Sequence, residues 1–121
     1  MNEFAAAIGL AQLEKIDIFN SRRQDIAKKY HDKINLKEKM SFNENSCYHF
    51  YWILIKNRDK FRKKMLESGI ETGTHYTPIH KFSMYRSGQK LPITERVSRS
   101  IVSIPTHPNL SNASSVHSNS A

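Results

Sequence analysis

From Asn2 onward apolar residues recur at helical spacing. At about 100° per residue, Phe4, Ile8, Ile16, Phe19, Ile26, Tyr30 and Ile34 fall within an arc of roughly 120°. The spacing predicts one long helix over residues 1–40, with Asn2 as its N-cap. Leu10 and Leu13 lie on another side, beside Ala6. The first half, to about Asp17, is therefore apolar round most of its circumference, and the second half on one side only. A helix apolar all round needs neighbours all round. The rest of the chain has few to offer, which implies a further domain or a partner subunit.

An Asn- and Ser-rich loop, Ser41 to Ser46, leads into Tyr48-His49-Phe50-Tyr51-Trp52-Ile53-Leu54-Ile55. Four aromatics followed by Ile-Leu-Ile predict a strand, and the nearly unbroken apolar run predicts burial on both faces at the centre of a sheet. Asn57 stands as N-cap of a helix over Arg58 to Ser68, with Phe61, Met65 and Leu66 inward and Gly69 at the C′ position. Ile70-Glu71-Thr72 opens a second strand, and Gly73 marks a bend or a close backbone approach. The chain then runs through Thr74 to His80 into a loop around Ser87 and Gly88. Past Pro92 and Thr94, the spacing of Ile93, Val97 and Ile101 predicts a third helix, closed by Pro105 and Pro108. Residues 111–121 hold five Ser and two Asn and read as a disordered tail. Helix, strand, helix, strand, helix is the order of a small α/β layer domain, its last four elements falling within residues 41–110.

Composition narrows the picture. Of 121 residues, 38% are hydrophobic and 25% charged, so the core is modest for the length. No run of 18 apolar residues exists to span a membrane. Met1 to Leu10 lacks the build of a signal peptide. Cys47 stands alone, which excludes an internal disulfide and an all-cysteine metal site and points to the cytoplasm. The net charge of +8 is concentrated: Asn20 to Met40 carries seven cations against three acids, and Lys56 to Lys64 six against Asp59. These are either solvated helix faces or the surface of a small basic nucleic-acid-binding module. The aromatics Phe50, Tyr51 and Trp52 argue against the second, because they run straight into Ile-Leu-Ile, whereas a base-stacking platform exposes its rings on a polar-flanked face.

The densest candidate chemistry is His75-Tyr76-Thr77-Pro78-Ile79-His80, where the chain leaves a strand. Strand-end loops on a rigid scaffold favour ligand contact, and an imidazole there can donate to or accept from a polar ligand. A histidine satisfied at a turn is the alternative. If Cys47 and His49 alternate on the strand they face one side, yet no acid stands near, the spacing fits no zinc pattern, and no metal is expected. Beside bulky aromatics, Cys47 reads as a small buried hydrophobe rather than a nucleophile. The four glycines are scattered, so there is no phosphate-cradling loop. The chain offers a binding loop without a complete catalytic apparatus.

Several segments together resemble one family. Met1-Asn2-Glu3-Phe4-Ala5-Ala6-Ala7-Ile8-Gly9-Leu10-Ala11-Gln12-Leu13-Glu14-Lys15 resembles the long helix that follows the active-site region in DegT-type PLP-dependent sugar aminotransferases. Tyr48-His49-Phe50-Tyr51 is similar to the first strand of their C-terminal domain, and Gly69 to His80 to their substrate loop. Leu91-Pro92-Ile93-Thr94-Glu95 and Ser103 to Ser111 are similar to their closing segments, and all matches run in the family's order.

The resemblance implies the small C-terminal domain of a fold type I PLP-dependent transferase: a long interdomain and dimer helix, then a small sheet flanked by helices. The complete enzyme would transfer an amino group, usually from glutamate, to a nucleotide-linked keto sugar in amino-sugar or polysaccharide biosynthesis. It implies His75, Tyr76 and His80 as substrate-binding residues, with His75 nearest the sugar and His49 a weaker candidate. The family's Schiff-base lysine, its pyridinium-pairing aspartate and its phosphate-binding residues belong to a large N-terminal domain. No lysine here sits in a similar context. The resemblance thus implies a fragment short at both ends, without catalytic or cofactor-binding residues of its own, holding no PLP alone, and completed by the N-terminal domain and a homodimer mate.

Overall fold

The computed structural model describes residues 2–85 and 88–110. The predicted tail, 111–121, lies outside them. The expected single helix is two: α1, Glu3–Leu13, and α2, Ile16–Lys33. Asn2 caps α1 as expected, its Oδ1 accepting from the Ala5 amide at 2.8 Å. At the junction the Lys15 amide donates to Gln12 O at 3.1 Å, a tightened turn with neither Pro nor Gly behind it. α2 stops at Lys33, short of the expected Met40, because Ile34 is extended. Lys39 folds back and its ammonium donates to the carbonyls of His31 and Ile34, a cation on the negative end of the helix.

β1, Tyr51–Leu54, is shorter than the predicted strand, and of its two faces only that of Tyr51 and Ile53 is buried, where burial on both was expected. On one side the Met40 amide donates to Trp52 O and the Leu54 amide to Glu38 O, both at 2.9 Å. On the other side β1 pairs antiparallel with β2, Ile101–Ile104, in the register Tyr51 to Ile104 and Ile53 to Val102. β2 corrects the third predicted helix. α4 spans only Pro92–Ser100, with Pro92 at its first turn, and the chain passes straight into the strand at Ile101. The expected strand at 70–72 is reduced to one bridge, in which Gly73 and Ser103 exchange both amide bonds at 2.8 and 2.9 Å.

Tyr51, Ile53, Val102 and Ile104 share one sheet face and form the core with Ile26, Ala27 and Tyr30 of α2, with Ile34 just past its end, and with Tyr48. The phenols of this core reach carbonyls: Tyr30 donates to Pro105 O at 2.9 Å and Tyr51 to Met40 O at 2.8 Å. Burial pushes both phenols up to about 12.

α3, Arg58–Glu67, ends as predicted. Gly69 has φ +76°, its amide donates to Leu66 O, and the Ile70 amide reaches back to Met65 O at 2.8 Å. Asn57 occupies the N-cap without a side-chain bond. Phe61 packs on the core, but Leu66, expected inward, is exposed.

Several cations of the two basic stretches bind the fold rather than face solvent alone. Arg22 donates to Leu110 O, Arg58 to Ser98 O and Arg62 to Thr72 O, at 2.8 to 3.0 Å. No described helix is long and apolar enough to cross a membrane. The all-round apolar start of the chain stands uncovered: Phe4 is 82% exposed, and Ile8, Leu10 and Leu13 are exposed with it.

Candidate functional site

The sheet face opposite the core carries Trp52 paired with Ser103, and Gly73 lies beyond Ser103 on the next rung. Gly73 brings no side chain, and the imidazole of His75 occupies the space. A Cβ on Gly73 would stand 2.7 Å from His75 Cε1 and 3.3 Å from Nδ1. This is the close approach that the isolated glycine suggested. Phe50, directly before β1, stacks on the imidazole at 5.5 Å and 19°, and Tyr76 meets it edge-on at 4.8 Å. His49 packs edge-on against Phe50 at 4.4 Å. His75 Nδ1 and Ser103 Oγ share a hydrogen bond of 2.8 Å.

Of these rings His49, Phe50 and His75 line a cleft of about 730 Å³, together with Gly73, Ser103, Thr106 and His107. Arg23 of α2 adds a cation to the lining. Apolar rings with few convergent polar groups make the usual lining of a small-molecule site.

Of the residues singled out from the sequence, His75 and His49 line this cleft, and Tyr76 stands beside His75 with most of its ring exposed. His80 goes elsewhere. It sits on a one-turn 3₁₀ helix, Ile79–Lys81, and its Nε2 meets Glu95 Oε1 of α4 at 3.3 Å. Lys81 and Arg99 approach the other carboxylate oxygen at 3.3 and 3.8 Å. Hydrogen bonds from His80, Lys81 and the Leu91 amide hold the Glu95 carboxyl below its ordinary value. A second hollow, of about 630 Å³, opens there between Lys81, Lys90 and Glu95. The six-residue run thus serves two places.

Cys47 is exposed, against expectation. It precedes β1, so the alternation argument pairing it with His49 does not apply. Among the described residues no group of three metal-ligating side chains converges. Sequence reasoning missed Ser103, which it took only as part of a closing segment, and took Phe50 only as a strand residue.

A family model described as the DegT/DnrJ/EryC1/StrS aminotransferase family matches residues 1–118. The chain is 35% identical over 120 residues to the dTDP-4-dehydro-2,3,6-trideoxy-D-glucose 4-aminotransferase of Saccharopolyspora spinosa, covering 93% of this chain and 31% of that protein. It is 34% identical over 119 residues to the GDP-perosamine synthase of Escherichia coli O157:H7, covering 93% and 33%. The solved structure of the aminotransferase TlmJ from Streptoalloteichus hindustanus matches with a TM-score of 0.86 at 28% identity, over 95% of this chain and 34% of that one. The chain therefore spans about a third of the length of the curated relatives it matches. The resemblance seen in the helix, the substrate loop and the closing segments agrees with these matches: the chain belongs to the DegT/DnrJ/EryC1/StrS aminotransferase family.

Proposed function

We propose that these residues form the small C-terminal domain of an aminotransferase that moves an amino group from glutamate to a nucleotide-linked keto sugar, and that the cleft at His75 receives the sugar. The observation that carries this is the held imidazole. His75 is stacked on Phe50, bonded to Ser103 and seated over Gly73, in the lining of a cleft that also presents Arg23, Glu71, Thr106 and Asn109. Its family relatives named above act on dTDP- and GDP-linked sugars, which supports a nucleotide sugar here.

In this reading the complete enzyme uses PLP, which supplies the electron sink for amino transfer. Among the described residues no lysine lines the cleft, so these residues do not fit a covalent hold on that cofactor. This domain's part is on the sugar side: Phe50 and Tyr76 wall the ring, and His75 hydrogen-bonds the sugar. His80 acts at one remove, its bond to Glu95 tying the end of the substrate loop to α4. The uncovered apolar surface of α1 meets the cofactor-bearing domain and the homodimer mate, residues 41–110 form the small domain on which α2 packs, and the enzyme works in the cytoplasm. The basic stretches are solvated helix faces rather than a nucleic-acid surface.

The test is His75→Ala in the complete enzyme. Loss of one hydrogen bond to an uncharged sugar group lowers kcat/KM up to about tenfold, with PLP absorbance unchanged. A variant with unaltered kinetics and only a lower melting temperature removes His75 from the site.

A further inference from the structure

We infer that Ser103 is a positioning residue: its hydroxyl donates to His75 Nδ1, holds the imidazole in the neutral tautomer protonated on Nε2, and so turns His75 into a hydrogen-bond donor toward the cleft. A serine hydroxyl has one proton to place and two lone pairs that can stay unused at lower cost. Ser103 is 5% exposed, and its amide and carbonyl are both spent on Gly73. Among the described residues its hydroxyl has one partner, Nδ1 of His75 at 2.8 Å. If Nδ1 carried a proton, two donors would face each other or the hydroxyl proton would have no acceptor among the described residues. With Nδ1 as the acceptor both groups are satisfied, and the ring's proton must sit on Nε2.

Nε2 has no protein partner among the described residues and is not sealed from solvent. The ring has little freedom to turn over and place Cδ2 where Nδ1 stands. Phe50 covers one face, Tyr76 abuts it edge-on, and its Cε1 already occupies the space a Cβ on Gly73 would need. The group that Nε2–H meets must therefore offer a lone pair: a hydroxyl, carbonyl or phosphate oxygen, and not an ammonium. That last step rests on the cleft being the sugar site; the tautomer does not.

The imidazole nitrogens of the uniformly ¹⁵N-labelled chain, read by long-range ¹H–¹⁵N correlation above the histidine titration range, test this directly. The expected spectrum shows an unprotonated Nδ1 and a protonated Nε2 on His75, with the other tautomer at least about tenfold less populated. Ser103→Ala moves both nitrogens toward the averaged shifts of a free imidazole, while Ser103→Thr, which keeps the hydroxyl, retains the original pattern. Amide resonances of Tyr51–Leu54 report that each variant is folded. A protonated Nδ1 in the unaltered chain overturns the inference by itself, whether or not a variant folds. So does a folded Ser103→Ala chain whose His75 pattern is unchanged. Either result leaves the amino-transfer reading standing, and failure of the His75→Ala kinetics would leave the tautomer standing.

Discussion

Gly73→Ala is the sharpest probe of how His75 is seated. The glycine lies in an ordinary backbone region, so an alanine there meets no conformational penalty of its own. Elsewhere such a change stabilises by about 0.4–1 kcal/mol, through the unfolded chain. Here the new methyl carbon falls 2.7 Å from His75 Cε1, well inside contact distance, and the imidazole must leave its place. Leaving it forfeits the bond to Ser103, about 0.5–1.5 kcal/mol, and the stacking on Phe50, about 0.5–1.5 kcal/mol. The balance is a loss of between about 0 and 2.6 kcal/mol, centred near 1.3, and for a domain of this size each kcal/mol moves Tm by roughly 4–8 °C. Thermal unfolding should be measured on Gly73→Ala in two backgrounds, unaltered and His75→Ala. With the imidazole gone, the alanine has nothing to displace, and the same change should become neutral or mildly stabilising. That non-additivity is the signature of a direct contact. An equal cost in both backgrounds would refute the claim that the imidazole is what occupies the space above Gly73.

Tyr30→Phe leaves the half-buried Pro105 carbonyl without its phenol donor and should cost about 0.5–1.5 kcal/mol in chemical denaturation. Burial holds the Tyr30 and Tyr51 phenols neutral up to about 12, above their ordinary 10.0, so stability should be complete below pH 10 and fall as pH rises toward 12. A Tyr30→Phe chain should show a shallower alkaline decline in Tm. Glu95 is the opposite case. Its carboxyl is held below the ordinary 4.5, so its contribution is present above that pH and is lost as the pH falls through the lowered value. Glu95→Gln should flatten the acid limb of the melting profile, and an unchanged limb would show that the His80 and Lys81 contacts carry no weight. Replacing Ile8 and Leu13 by Gln should reduce self-association in light scattering while leaving the Tyr51–Leu54 amides in place, because both side chains point away from the core.

What could be read in advance follows from which forces act locally. The cap at Asn2, the glycine stop at Gly69 and the proline start of α4 are decided within a few residues, and each stands where the sequence puts it. Ile26 and Tyr30 are core because one helix face decides it, and Ile34 follows them in from the extended residue that ends the helix. The failures are contests that long-range pairing won. Ile93, Val97 and Ile101 are spaced for a helix, but Ile101-Val102-Ser103-Ile104 is also a β-branched run, and β1 stands ready to pair with it. The helix period holds only to Ser100. Lys39 at the end of a predicted helix looks like one more solvated cation. It is a cap instead, because the chain doubles back to lay residues 38–40 along β1.

The candidate site divides in the same way. His75 was legible as a residue at a strand end beside a glycine, and its resemblance to a substrate loop adds to that. The groups that seat it were not. Phe50 lies 25 positions before it and Ser103 28 after, and only the antiparallel pairing of β1 with β2, and of Ser103 with Gly73, brings the three together. Conversely His80, five positions away, parts company with His75 because the intervening 3₁₀ turn sends it to Glu95. Nearness in sequence suggested one histidine site; the backbone geometry makes two. The kinetic consequence is distinct: His75→Ala should act on sugar turnover with little effect on the acid limb of stability. His80→Ala should do the reverse, weakening the bond that links the turn to α4 while the imidazole over Gly73 keeps its partners.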